Sequence, residues 1–307
     1  MSVWEAIVLG VVQGLTEFFP VSSSGHLVIG GALLGLEVPG ILFEVSVHVA
    51  TLISVVVVYR ARIVELILGM VGRAEQSTWP YVLKIVVATI PAVVVGFTLK
   101  DWFETRFDDP VFAATMILVT GSFVWSSRWA RGMTRPWPYD WLPLLVAAAI
   151  AAWAGTVVPF LAVLGAEALL FTAARVTAPK EVQQEPSWWA ALLMGIAQSM
   201  AILPGISRSG STVLTGLWRR IDPVKAAEFS FLMSIPAIAG AAVLMLPEIG
   251  EAGTEIGLAP LLAGGVAAGL SGILAITVFV ALLRRQNFYV FAYYCWAAAG
   301  LFLLTAG

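Results

Sequence analysis

Hydrophobic positions along the chain fall into long continuous blocks. Six of them are close to or above the length, about 20 residues, with which an α-helix crosses a bilayer. They cover residues 43–59, 81–99, 110–127, 226–246, 257–281 and 288–306. A further apolar block at 141–174 is broken by Pro159, which predicts a hairpin of two short crossings. The pattern predicts an all-α polytopic membrane protein, since a closed β-barrel would need alternating segments of about ten residues.

Composition agrees with this prediction. Of 307 residues, 60% are hydrophobic and only 12% charged, and the mean hydropathy is +0.92. A net charge of −2 argues against nucleic acid as a partner. Glu5 and the polar run of residues 13–24 interrupt the first apolar segment, so we expect no cleavable signal peptide.

Loop charges predict how the spans are oriented. Cytoplasmic loops of membrane proteins carry an excess of Lys and Arg. The loops at 100–109 and 247–256 are mainly acidic, so we place them outside. The four cationic loops, placed inside, carry Arg60, Arg62 and Arg73; Arg128, Arg131 and Arg135; Arg219, Arg220 and Lys225; and Arg284 and Arg285. The spans then alternate if 141–174 is a hairpin.

Two helical segments do not fit a simple span. Residues 3–19 stop at Pro20 and the run "VSSSG", and residues 187–203 stop at "PGISRSGST" (204–212). Irregular backbone in a membrane is tolerated where protein or a water-filled cavity surrounds it, as in re-entrant helix pairs. The alternative is a full span kinked by proline.

A repeat favours the re-entrant interpretation. With an offset of 185 residues, "GVVQGLTEFFPVSSSGHLV" from Gly10 aligns with "GIAQSMAILPGISRSGSTV" from Gly195 without a gap. Each half then reads as a re-entrant pair followed by three crossings, and an odd number of crossings inverts one half relative to the other. This predicts an inverted-topology repeat. The first repeat is 1–136 with its re-entrant pair at 3–36, an inserted membrane hairpin is 137–182, and the second repeat is 183–307 with its pair at 187–218.

The two breaks would bring together groups suited to binding an anion. The first break offers an acid, hydroxyls and a histidine. The second offers an arginine at a helix start, where guanidinium and backbone N–H groups can both bind phosphate. The residues are Gln13, Glu17, Ser22, Ser23, Ser24 and His26 in the first half, and Ser207, Arg208, Ser209, Ser211 and Thr212 in the second. An acid and a histidine beside such a site suggest proton transfer or nucleophilic attack.

The motifs closely resemble those of the undecaprenyl pyrophosphate phosphatase family, also called the bacitracin-resistance family. The resemblance rests on Gln13 and Glu17, "PVSSSGH" (20–26), "PGISRSGST" (204–212) and "AAEFSFLMSIP" (226–236). It implies an enzyme of the prokaryotic inner membrane that hydrolyses a polyprenyl diphosphate to the monophosphate carrier lipid of envelope glycan synthesis. The insertion at 137–182 exceeds the family pattern.

Residue roles follow from the same resemblance. Glu17 is expected to act as an acid/base or in a cation site, Arg208 to clamp the diphosphate, and Ser23 or His26 to be the nucleophile. Substrate-binding residues are expected at Gln13, Ser22, Ser24, Gly25, Gly205, Ser207, Ser209, Gly210 and Thr212. A divalent cation, Mg²⁺ or Ca²⁺, is expected to take most of its ligands from substrate phosphates, because Glu17 is the one certain carboxylate.

Several alternatives stay open at this level. Paired broken helices are also typical of secondary transporters, so a transporter or flippase for an anion or phospholipid-like substrate is the competing hypothesis. We interpret His48 as an interhelical hydrogen bonder, and Glu167 has no partner visible in the sequence. Charge places the mouth of the site outside. Membrane lipids are the expected surroundings, and self-association into a homodimer is left open.

Overall fold

The computed structural model describes residues 1–34, 41–73, 77–107, 109–130, 139–251 and 256–306. Within these residues the regular structure is helical, with a single isolated bridge between Gln183 and Ile221. The α-helices are α1 (Val3–Phe18), α2 (Ser23–Leu34), α3 (Ile41–Val58), α4 (Arg60–Met70), α5 (Trp79–Thr98), α6 (Lys100–Phe107), α7 (Pro110–Trp125), α8 (Leu142–Trp153), α9 (Val157–Val176), α10 (Trp188–Met200), α11 (Arg208–Trp218), α12 (Pro223–Glu251), α13 (Leu258–Arg284) and α14 (Val290–Ala306).

The predicted spans are confirmed as helices. Among the described residues, α5, α7 with the turn that follows it, α9, α12 and α13 are long and apolar enough to cross a membrane. Together α3 and α4 form a sixth candidate, bent by 76° at Tyr59. This makes the chain an all-helical, multi-pass membrane protein. The ends of the predicted spans differ from the helix ends by a few residues, as expected where helices fray.

Two short helices lie in stretches that we interpreted as loops. α4 occupies most of the cationic loop after α3, and α6 occupies most of the acidic loop after α5. Charged residues interrupt the apolar pattern there, so hydropathy alone does not reveal a helix. Arg131, Arg135, Asp108 and part of the 247–256 loop lie outside the described residues.

The inserted segment forms a helical hairpin, but its break is not at Pro159. α8 ends at Trp153, and Gly155 turns the chain with a φ of +72°, a conformation that favours glycine. Pro159 lies in the first turn of α9, where a missing N–H costs no helical hydrogen bond. Residues 137 and 138 of the predicted hairpin lie outside the described residues.

Close helix packing locks the two halves together. α1 packs along α13, and α10 packs along α5. The contacts use glycines: a Cβ on Gly10 would lie 2.3 Å from the carbonyl oxygen of Gly264, and one on Gly195 would lie 2.4 Å from that of Ala88. Small residues of this kind let helices approach closely in membranes.

Close contacts of glycines also bring the two helix breaks together. The α1–α2 turn and the α10–α11 turn meet where Gly25 faces Gly205, and a Cβ on Gly25 would lie 2.8 Å from Cα of Gly205. α7 lies behind both turns, because a Cβ on Gly205 would lie 2.2 Å from the carbonyl oxygen of Ala113. The polar motifs of the two halves therefore share one place in the fold.

Candidate active site

Glu17, next to the last residue of α1, is the centre of the polar cluster. Its carboxylate is buried, with 8% of the residue exposed. Oε1 accepts a hydrogen bond from Nη2 of Arg208 at 2.5 Å, and Oε2 accepts from Oγ of Ser23 at 2.5 Å and from Nε2 of Gln13 at 3.2 Å. A buried carboxylate with a cationic partner and two neutral donors is well stabilised. Gln13 and Glu17, four positions apart in the sequence, are thus joined by a side-chain hydrogen bond.

The turn between α1 and α2 aims Ser23 at that carboxylate. Ser22 has a φ of +71°, unusual for a residue with a side chain, and its Oγ accepts a hydrogen bond from the N–H of Gly25. Ser22 thus caps α2, which begins at Ser23. The strained turn and the cap put the Ser23 hydroxyl at the positive end of a helix, beside a carboxylate that can accept its proton.

Arg208 stands at the first position of α11. Ser207 caps this helix, its Oγ accepting from the N–H of Gly210 at 3.0 Å. The preceding turn needs glycine, since Gly205 has a φ of +100°. Thr120 of α7 holds the turn: its Oγ1 donates to the carbonyl of Gly205 at 2.7 Å and accepts from the N–H of Ser207 at 3.1 Å. These hydrogen bonds hold the backbone at the start of α11, from which the Arg208 side chain extends.

The guanidinium of Arg208 can still bind a ligand. Nη2 of Arg208 bonds to Glu17, while the buried Nη1 has no partner among the described residues. A second N–H group and the start of α11, with its unpaired backbone donors, are then available to an anion. Phosphate oxygens match both.

The other hydroxyls of the second motif mainly hold structure together. Ser209 donates to the carbonyl of Phe19 at 3.0 Å and so ties one turn to the other. Thr212 donates to the carbonyl of Arg208 and lies 2.6 Å from Oγ of Ser230. Gly210 packs near Ser207 and Pro20. Direct contact of Ser22, Ser24, Gly25, Gly205, Ser207, Ser209, Gly210 and Thr212 with a substrate stays a prediction.

His26 makes its hydrogen bonds to groups other than Glu17. Its Nδ1 lies 2.7 Å from the carbonyl oxygen of Ser22 and must donate to it, which leaves Nε2 as the acceptor in the neutral ring. Nε2 accepts from the hydroxyl of Tyr294 at 2.9 Å, and the two rings stack at 5.5 Å. Tyr294 of α14 is 48% exposed. The reactive nitrogen of His26 is therefore occupied.

Sequence reasoning interpreted His48 as an interhelical hydrogen bonder and so left it out of the site, and it missed Tyr294. Nδ1 of His48 bonds within its own helix to the carbonyl of Glu44, and Nε2 lies 3.9 Å from Oε2 of Glu17. His48 is thus a member of the cluster, reached from α3. A signal existed, because an ionisable side chain within an apolar span is a candidate functional residue by default. Nothing in the sequence pairs Tyr294 with His26, 268 positions away.

The donors for a divalent cation are few but suitable. Among the described residues no three His, Cys, Asp or Glu side chains cluster as a metal site. Oε1 of Gln13 is buried and has no hydrogen-bond partner within the described parts of the chain, and it lies on the same helix face as Glu17. Mg²⁺ and Ca²⁺ favour such oxygen ligands, and Mg²⁺ commonly uses one or two from protein and the rest from phosphate and water. The residues fit a site completed by a phosphorylated ligand.

Fold and site together define a multi-pass helical membrane protein with a buried serine, carboxylate and guanidinium centre between two broken helices. A protein-family comparison then gives its relationship. The model of the family described as bacitracin resistance protein BacA matches residues 6–136 and 137–301. The chain belongs to this family, as its two motifs indicated.

Curated relatives match over nearly their whole length. The undecaprenyl-diphosphatase of Desulforapulum autotrophicum is 33% identical over 322 residues, covering 100% of this chain and 99% of the relative. That of Alkaliphilus metalliredigens is 34% identical over 317 residues, covering 99% and 98%. That of Salinibacter ruber is 35% identical over 319 residues, covering 98% of each.

Proposed function

We propose that this chain is an integral membrane phosphatase that hydrolyses undecaprenyl diphosphate to the monophosphate and inorganic phosphate. The single observation that carries the proposal is the hydrogen-bonded row Ser23, Glu17, Arg208. These hydrogen bonds support the proposal that Ser23 is a nucleophile, Glu17 its base and Arg208 a phosphate-binding cation. The names of the relatives supply the substrate, and recycling of the carrier lipid for cell-envelope glycan synthesis follows from that reaction.

Ser23 is the nucleophile in the proposed first step. Its Oγ attacks the terminal phosphorus, its proton passes to Oε2 of Glu17, and the bond to the bridging oxygen breaks. Polyprenyl monophosphate leaves and the phosphoryl group stays on Ser23. Arg208 and the start of α11 stabilise the charge on the phosphoryl oxygens.

Water completes the proposed reaction. A water molecule attacks the phosphoserine phosphorus, both of its protons stay with the phosphate, and the bond from Oγ to phosphorus breaks. Oγ regains a proton from the protonated Glu17, and inorganic phosphate leaves. Gln13 and His48 keep the Glu17 carboxylate in place through both steps.

A divalent cation, Mg²⁺ or Ca²⁺, is part of the proposal. Gln13 Oε1 and the Glu17 carboxylate would hold it, and the diphosphate would supply further oxygens. When bound it would neutralise phosphoryl charge.

We also propose the arrangement in the membrane. The pairing of α1 with α13, repeated by α10 with α5, supports two inverted repeats with re-entrant pairs α1–α2 and α10–α11. Loop charge supports an inner-membrane protein whose site opens to the outer, periplasmic side. The lipid tail would stay among acyl chains while the head group reaches Arg208.

Phosphate release from purified protein tests the proposal. The full chain in detergent is given undecaprenyl diphosphate and Mg²⁺, and inorganic phosphate is measured. Arg208→Ala and Glu17→Ala should each lower kcat/KM at least about 100-fold, the cost of losing one electrostatic contact to the transition state. Arg284→Ala, which removes an exposed arginine far from the motifs along the chain, is the control.

The transporter hypothesis predicts another result. No phosphate release, together with anion or lipid flux in vesicles that Arg208→Ala abolishes, would replace the enzyme by a transporter or flippase.

A further inference from the structure

Glu167 is a buried carboxyl group that the proposed reaction does not use. It lies in α9, in the inserted hairpin, and none of its surface is exposed. Much of the rest of α9 faces outward, with Val158, Leu169 and Val176 more than 70% exposed. The helix therefore directs its one acid away from lipid and into the protein.

The contact made by Glu167 reaches the helix that carries Arg208. Oε1 accepts a hydrogen bond from Oγ of Ser211 at 3.1 Å. Ser211 lies three residues after Arg208, in the first turn of α11. Oε2 is buried without a partner among the described residues.

Among the residues that the structure describes, no charge balances this carboxyl group. Within the described residues, no arginine, lysine or histidine nitrogen lies within 4.0 Å of it. An ionised carboxylate in such surroundings is very costly, whereas a protonated one costs little more than another polar group. The surroundings favour the neutral acid.

We propose that Glu167 is a neutral positioning residue: through Ser211 it fixes the rotation of α11 and so directs Arg208 at the diphosphate. The inserted hairpin thereby supports the helix that carries Arg208. This inference rests on the proposed function, because it assigns Glu167 to the same diphosphate-binding helix.

Substitutions at both ends of the contact test this inference. Glu167→Leu and Ser211→Ala should each raise KM for undecaprenyl diphosphate about fivefold, the usual worth of one hydrogen bond, and leave kcat within about twofold. Combining them should add little, because both remove one contact. Glu167→Gln keeps a neutral acceptor of the same shape and should restore KM at every pH. Thr172→Val, an exposed polar residue of the same helix, is the control.

The opposite results are equally clear. Unchanged KM in Ser211→Ala and Glu167→Leu would overturn the inference, as would lower melting temperature with normal KM, which indicates a fold contact alone. An inactive Glu167→Gln beside an active Ser211→Ala would show that the ionised form matters, and would also overturn it. Should Glu167→Leu fail to fold, Ser211→Ala decides.

Failure of the proposed function can be told apart. Affinity for the non-hydrolysable methylene analogue of the diphosphate is measured in the same variants. Wild type that binds the analogue but releases no phosphate rejects the phosphatase, while a fivefold weaker affinity in Ser211→Ala still supports the positioning role. Equal affinity of the wild type and Ser211→Ala for the analogue rejects the positioning role of Glu167.

Discussion

At the scale of single residues, the structure gives different hydrogen-bond partners to the two candidate nucleophiles that the motif leaves equal. Ser23 and His26 stand three positions apart in "SSSGH". The hydroxyl of Ser23 points to Glu17, whereas Nε2 of His26 accepts a hydrogen bond from Tyr294. A nucleophile needs a base within hydrogen-bond reach, and this criterion favours Ser23.

Replacing these two side chains should therefore have unequal effects. Ser23→Ala removes the attacking oxygen and should lower kcat at least about 1000-fold. His26→Asn should leave turnover that is easily measured. Rapid quenching with substrate labelled in its terminal phosphate should trap the label on Ser23 in the wild type. Label on His26, or normal turnover by Ser23→Ala, would reject the assignment.

Arg208 shows how one side chain serves two purposes. Its bond to Glu17 offsets a buried negative charge, and its Nη1, which has no partner in the described part of the chain, is the group that we propose binds the ligand. Arg208→Lys keeps the charge but loses the planar fork that can hold a carboxylate and a phosphate together.

That loss gives a second prediction. Arg208→Lys should recover less than about a tenth of the activity that Arg208→Ala loses, because a single ammonium cannot replace both contacts. Phosphate release at saturating lipid measures it. Full recovery would show that charge alone is required.

At the scale of elements, glycine contacts determine where the first broken helix lies. A Cβ on Gly14 would meet Oγ of Ser271 at 2.1 Å and the carbonyl oxygen of Ala268 at 2.3 Å, both on α13. The backbone of α13 cannot yield as a flexible side chain would. Gly14 thus fixes the depth and rotation of α1, and with them the place of Glu17 one turn later.

Gly14→Ala should push α1 away from α13. We expect a loss of about 1–3 kcal/mol in stability, the usual cost of overpacking, and reduced phosphate release. Thermal unfolding in detergent measures the first effect. Gly165→Ala is a matched control, because a Cβ there meets nothing within 4 Å. Equal melting temperatures in the two variants would contradict the packing argument.

Ion pairs also connect helices at this scale. Arg62 of α4 contacts Glu228 of α12 at 3.3 Å and Glu185 at 3.7 Å, and Lys84 of α5 contacts Glu185 at 3.5 Å. Glu228 thus connects α12 to α4.

At the scale of the whole molecule, loop charge predicts which side of the membrane each loop faces. Thr105 lies in α6, in the acidic loop that the charge rule places outside the membrane. Arg285 follows α13, in a cationic loop that the same rule places inside. Both are exposed, and Cys295 is fully buried.

Labelling of intact cells should distinguish the two sides. With Cys295 replaced by Ala, Thr105→Cys should react with a membrane-impermeant thiol reagent, and Arg285→Cys should react after the cells are opened. Protection of position 105 in intact cells would reverse the orientation and place the mouth of the site inside.

The sequence by itself determined the helical spans, the two breaks and the set of polar residues around them. Apolar length and the cost of polar groups in lipid are properties of short segments, so they can be read locally. For the same reason Glu17 and Arg208 can be recognised as candidate site residues from the amino-acid sequence alone.

Only the tertiary structure decided which of those polar groups meet. The partners of His26, Ser211 and Glu17 lie 268, 44 and 191 positions away. Such contacts depend on the rotation and depth of packed helices, which glycines at close contacts set and hydropathy does not show. For that reason the apolar pattern does not show that His48 lies near Glu17. It also shows no partner for Glu167, which the packing of α9 against α11 brings to Ser211.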